Sequence, residues 1–148
     1  MRFIVSIGFL IVTLTTANVM AQCANKTHIT DIPYAKNSSY FSNKYSAQLD
    51  DIVTHYQSQS GYLLLEFKVN KVQRSKDVRH YNKWLASRRV ERVRSYFNQA
   101  AYSAPIISRI LTASNETDRS VAVHWCDTQT DEMNLRLAQV DALKPSTH

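Results

Sequence analysis

The sequence predicts an α+β domain: a mixed sheet with helices packed on one face, in the order β-α-β-α-β-β. Three observations carry this. In residues 81–97, YNKWLASRRVERVRSYF, and just beyond, Ala86, Val90, Val93, Phe97 and Ala100 recur at i, i+4, i+7, i+11 and i+14, one apolar strip on a helix. Residues 62–69, YLLLEFKV, run apolar and then alternate, as a strand buried on both faces does. Residues 106–111 and 120–126 alternate with period two, which gives two further strands.

Residues 1–21 read as an export leader. Arg2 supplies the positive start, residues 3–14 the short apolar run, and Val19-Met20-Ala21 a small-residue cleavage site. That run is too short to span a membrane, and no later stretch approaches about 18 apolar residues. A lipoprotein signal near Cys23 is disfavoured, because Gln22 stands where that signal needs a small residue. The expectation is a periplasmic protein of 127 residues, one domain by length.

Cys23 and Cys126 are the two cysteines, and both follow the leader. In an oxidising compartment they most simply form one disulfide; the alternative is two free buried thiols. The net charge is +6, or +5 without Arg2, a field that favours anionic partners such as wall carboxylates, phospholipid head groups or nucleic acid. Export argues against nucleic acid, and the eight tyrosines form no aromatic-basic ladder.

Taken in order, residues 22–31 read as a polar arm. Ile32, Tyr34 and the segment to residue 39 suggest a first strand, with Pro33 demanding an edge or strand-start position. Ser42 is placed to cap a helix whose stripe is Tyr45, Leu49, Ile52, Val53 and Tyr56. Gly61 reads as a C-cap or turn before the strand at 62–69. Residues 70–80 are polar, mostly charged and aperiodic, hence a loop feeding the 81–97 helix. Ser103-Ala104-Pro105 breaks that helix, and the strands at 106–111 and 120–126 follow. In the last of these, Val121, Val123 and Trp125 share one face and Ser120, Ala122 and His124 the other, a half-buried pattern. Residues 127–148 form a tail with a helical stripe of Met133, Leu137 and Val140, stopped by Pro145. The tail either covers the domain's own sheet or offers a helix to a partner.

Arg88, Arg89 and Arg92 gather beside the apolar strip of the 81–97 helix, with Arg89 nearest its edge. A guanidinium so placed is partly shielded and can hold a carboxylate through two parallel hydrogen bonds. The alternative is a solvated basic face whose stems lie on the core. No residue set asks for catalysis: the five histidines lack metal-ligand spacing, Gly61 alone among residues 22–148 rules out a glycine-rich phosphate loop, and no G-x-S-x-G occurs. The expectation is therefore a protein that is not an enzyme and carries neither cofactor nor metal.

The motif Tyr81-Asn82 with Leu85 and Arg88-Arg89-Val90 resembles the YN-x-x-L-S-x-RRA helix of the OmpA-like peptidoglycan-associating domains. Asp118-Arg119-Ser120-Val121 is similar to the RRV-type start of that family's last strand, and the likeness spans about residues 30–126. The resemblance implies a βαβαββ sandwich over residues 32–126, associated with the outer membrane side of the cell envelope. It also implies a ligand, the peptidoglycan stem peptide. In that family an Asp ending the second strand and the second Arg of the helix pair hold a diaminopimelate group. Arg89 falls on that Arg and Asn70 on that Asp, with Arg119 lining the site and Lys71 and Arg74 adding attraction. The alternative is an assembly component of a flagellar or secretion-type machine that uses the same fold to bind envelope proteins.

Overall fold

The computed structural model describes residue 23, residues 25–73 and residues 75–129. The expected leader, Arg74 and the tail helix beyond residue 129 lie outside the described residues. Strands β1 (Lys26–Pro33), β2 (Gly61–Asn70), β3 (Ile106–Ser114) and β4 (Ser120–Asp127) form a mixed sheet in the order β1-β4-β2-β3. Helix α1 (Ser46–Tyr56) joins β1 to β2, and α2 (Lys76–Gln99) joins β2 to β3. The β2–β3 pair is parallel, as a helical crossover requires; β4 runs antiparallel to both β1 and β2. No helix among the described residues is long and apolar enough to cross a membrane.

The core lies on one face of the sheet. Leu63, Leu65, Phe67 and Val69 of β2 and Val121, Val123 and Trp125 of β4 meet Leu49 and Ile52 of α1 and Ala86, Val90, Val93 and Phe97 of α2. The stripes expected on both helices are therefore the ones that pack. Gly61 differs from its expected role as a cap: it is the first residue of β2, and a Cβ there would overlap the Trp125 ring and the Cys126 carbonyl. Gly61→Ala is expected to cost about 1–3 kcal/mol, read as a lower urea midpoint at unchanged slope.

Three segments differ from the sequence reading. The first strand is Lys26–Pro33, within what reads as an arm, and not residues 32–39. As an edge strand it keeps most side chains in water, and only Ile32 is buried, so its composition is polar although its backbone pairs along β4. Pro33 is its last residue, where an edge tolerates the missing N–H. The supposed loop at 70–80 contains the first turn of α2, because the Ser75 hydroxyl accepts from the Val78 N–H at 3.2 Å and Asp77 complements the helix start. Ser42 makes no side-chain cap; a 3-10 turn, Asn43–Tyr45, precedes α1 instead.

β4 is more deeply buried than half. It is interior, between β1 and β2, so Ser120, His124 and Cys126 on its second face are also buried. On that face Glu66 is 3 % exposed and laces three strands. Arg109 of β3 donates to it through Nε at 3.0 Å and Nη2 at 2.5 Å, and Lys26 of β1 reaches both its oxygens at 3.2 Å. Burial raises the Glu66 pKa, but these hydrogen bonds and charges outweigh it and hold the carboxyl below its ordinary value.

His124 lies nearby, edge-on to His28 with ring centroids 5.3 Å apart, and neither ring nitrogen meets a hydrogen-bond partner among the described residues. Burial first, then the charge of Lys26, lowers its pKa. The unfolded chain therefore takes up this proton at a higher pH than the folded one. The contribution is full above the ordinary value of about 6.5 and is lost as pH falls below it. Unfolding free energy in urea should thus fall from pH 7.5 to pH 5, and His124→Phe should flatten that dependence. Glu66 adds its own loss only below its ordinary value of 4.5.

Candidate functional site

The site is assembled at the Asn70 end of β2. Arg89 leaves α2 toward the sheet and is 4 % exposed. Its Nε donates to the Ser38 carbonyl at 2.8 Å and its Nη2 to the Ala35 carbonyl at 3.0 Å. The guanidinium carbon sits 5.3 Å from the Tyr34 ring centroid and 5.4 Å from that of Phe67, so two aromatic rings flank the charge. Tyr34 braces the helix in return, its hydroxyl donating to the Arg89 carbonyl at 2.9 Å. Asn37, between the two carbonyl residues, takes φ 58°, a left-handed conformation that Asn tolerates.

No carboxylate pairs with Arg89 among the described residues. Burial lowers its pKa; the nearby Tyr34 acts against this and the charge of Arg119 adds to it. An arginine does not deprotonate in a protein, so this strain stays electrostatic, a shielded cation facing a second cation. Nε and Nη2 occupy one edge of the fork, and Nη1 makes no hydrogen bond to the described residues.

Beyond Arg89 opens a cavity of about 240 Å³, and Asn70, Arg89 and Arg119 all line it. The three residues singled out in the sequence are thus brought together. Lys36, Gln73, Asn82 and Asp118 also line it; Asn82 and Asp118 stand in the motifs that carry the family resemblance but have no site role there, and Lys36 and Gln73 are single polar residues without a period.

Asn70 proves to be a tie. Its Nδ2 donates to the carbonyls of Asn115 and Glu116 at 3.1 and 3.2 Å, and its Oδ1 accepts from the Val72 N–H at 2.7 Å. It joins the end of β2 to the β3–β4 connection. An Asp here would lose both donors and set a negative charge against two carbonyl oxygens, which accounts for the amide.

The acids of the pocket are engaged as well. Glu116 binds Lys68 at 2.8 Å, and Asp118 accepts from the Arg119 N–H at 2.6 Å and from the Ser120 hydroxyl. What remains available is cationic: Nη1 of Arg89, the Arg119 side chain and Lys36. Such a site takes an anion, a planar carboxylate best. A larger groove of about 660 Å³ between β1 and α1, lined by Thr30, Gln48, Asp51 and His55, brings no cation together. Among the described residues no cluster of His, Cys, Asp or Glu is set to hold a metal.

Fold and site together define an α+β domain with a cationic pocket at the end of its central strand. The chain matches no protein-family model and no curated protein.

Proposed function

We propose that this protein is an exported OmpA-like module of the periplasm that associates non-covalently with peptidoglycan by recognising a stem-peptide carboxylate. One observation carries this reading: a buried guanidinium at position 89, held by two loop carbonyls, with no carboxylate partner among the described residues and a cavity that it lines. The carboxylate docks against Nη1 of Arg89, with Arg119 and Lys36 adding attraction from the rim. Because Asn70, Glu116 and Asp118 are engaged within the protein, selectivity falls on the carboxylate and not on the ammonium of a diamino acid. Binding is the whole of the proposed activity.

Retention on purified sacculi tests this. Arg119 is exposed and accepts no structural task through its side chain, so Arg119→Ala should weaken retention several-fold while the thermal midpoint stays unchanged. Lys83→Ala removes one exposed cation elsewhere on α2 and should change neither. Equal retention of Arg119→Ala and the unaltered protein would remove Arg119 from the site.

A second reading, an envelope assembly component that binds protein, is favoured by a different observation. Val72, Val78, Tyr81 and Trp84 are large, apolar and 42 to 80 % exposed, clustered around the start of α2. Co-purification of an envelope protein that is lost in Trp84→Ala would support it.

A further inference from the structure

Helix α2 carries an aromatic pair on the side it turns to water. Val93 is fully buried, and Trp84, nine residues earlier, stands half a turn around the helix from it, so the indole points away from the core. Trp84 is 55 % exposed and Tyr81 43 %, and their rings lie 5.8 Å apart at 31°. Val78 precedes Tyr81 by about one turn, and Val72 stands in the connection before the helix; both are exposed. One apolar side chain at a surface is ordinary, but a contiguous group around one helix start marks a contact site.

Cations surround these rings. Lys71, Lys76, Arg79, Lys83 and Arg88 are exposed, and none of them makes an ion pair among the described residues. Over residues 71–88 the single acid is Asp77, and the start of α2 offsets part of its charge. The patch is thus apolar at its centre and positive around it.

We propose that this patch docks the protein on the surface of an anionic phospholipid bilayer. Indole and phenol rings sit well at the head-group level, where one end of the ring is dry and the other wet. The surrounding cations meet the lipid phosphates, each worth roughly fivefold in affinity when brought near the surface. Shape and charge type favour lipid over the protein partner that the same aromatics would suit. The outward side of a helix is convex and gives a partner side chain no recess, and three of the five cations are lysines, mobile point charges suited to a plane of phosphates. Docking here uses none of the three residues that carry the carboxylate pocket, so it stands apart from sacculus binding.

Cosedimentation of residues 22–148, disulfide intact, tests this with vesicles of phosphatidylglycerol and phosphatidylcholine in equal parts, against phosphatidylcholine alone. The protein should pellet with the anionic vesicles only, less so as salt rises. Its tryptophan emission should shift to the blue, a change that reports Trp84 because Trp125 is already buried. Trp84→Ala should abolish the shift and weaken binding by about tenfold, with the thermal midpoint and sacculus retention unchanged. The double variant Lys76→Ala, Lys83→Ala should weaken binding by roughly 25-fold, whereas Lys44→Ala, which removes one exposed cation ahead of α1, should leave it unaltered. Equal pelleting with both kinds of vesicle overturns the proposal, as does unaltered binding of Trp84→Ala. Failure to pellet with either, alongside capture of a protein through Trp84, would give the patch to the protein-binding reading instead.

Discussion

Reducing the Cys23–Cys126 disulfide is expected to lower the unfolding free energy by about 4–5 kcal/mol. The bond closes a loop with a sequence separation of 103, and in the chain-entropy view a loop of roughly 100 residues is worth about 4.7 kcal/mol. A domain of this size has a total of about 5–15 kcal/mol to lose, so the reduced chain should be marginal at 37 °C. The thermal midpoint should fall by roughly 15 °C. The location sharpens the expectation. The bond ties residue 23, just ahead of the polar edge strand β1, to the fully buried Cys126 of β4, and Lys26 pairs with Cys126 in the ladder. β1 contributes a single buried apolar side chain, so its attachment depends on backbone pairing, the Lys26–Glu66 ion pair and this bond. Hydrogen exchange should accelerate first in β1 on reduction, with β2 and α2 following only at global unfolding. The pair Cys23→Ser, Cys126→Ala reproduces the effect without reductant. Identical urea midpoints for oxidised and reduced protein would refute it.

Replacing Arg89 by Ala is expected to be costly twice over. The Ser38 and Ala35 carbonyls lose a charged donor and the space between Tyr34 and Phe67 empties, a loss of about 2–4 kcal/mol. Retention on sacculi should drop by about 10–100-fold, the worth of one charge-assisted contact. The two effects separate by assay, because stability is read in urea and binding on protein that is still folded at low temperature. Arg89→Lys keeps the charge but offers no fork to reach both carbonyls, so it should recover binding only in part. A folded Arg89→Ala protein that pellets with sacculi as well as the unaltered one would exclude this guanidinium as the anchor.

Asn70 shows why the candidate site was only partly legible beforehand. Its position at the end of a strand followed from the alternation of 62–69, and its closeness to Arg89 followed from the family resemblance. What its side chain does follows from neither. Its partners, Asn115 and Glu116, are 45 and 46 residues away in the chain, and pairing at that distance leaves no periodic trace. Arg89 was easier to single out, because a cation at the border of an apolar stripe is a local feature of one helix. The two carbonyls that hold it come from a loop more than 50 residues earlier, so its engagement was not local.

The sequence by itself determined the two helical stripes, the doubly buried β2, the breaks around them and the cysteine pair, because each is set by spacing within one stretch or by bare count. Tertiary structure alone decided that the polar residues from Lys26 onward form an edge strand, that Gly61 makes room for Trp125, and that β4 lies inside the sheet. It also decided that the amide of Asn70 and the acids of the β3–β4 connection are engaged while part of Arg89 is not. Periodicity reports which side of an element is dry. Which groups meet there depends on pairing between distant strands, and that is fixed only when the chain closes on itself.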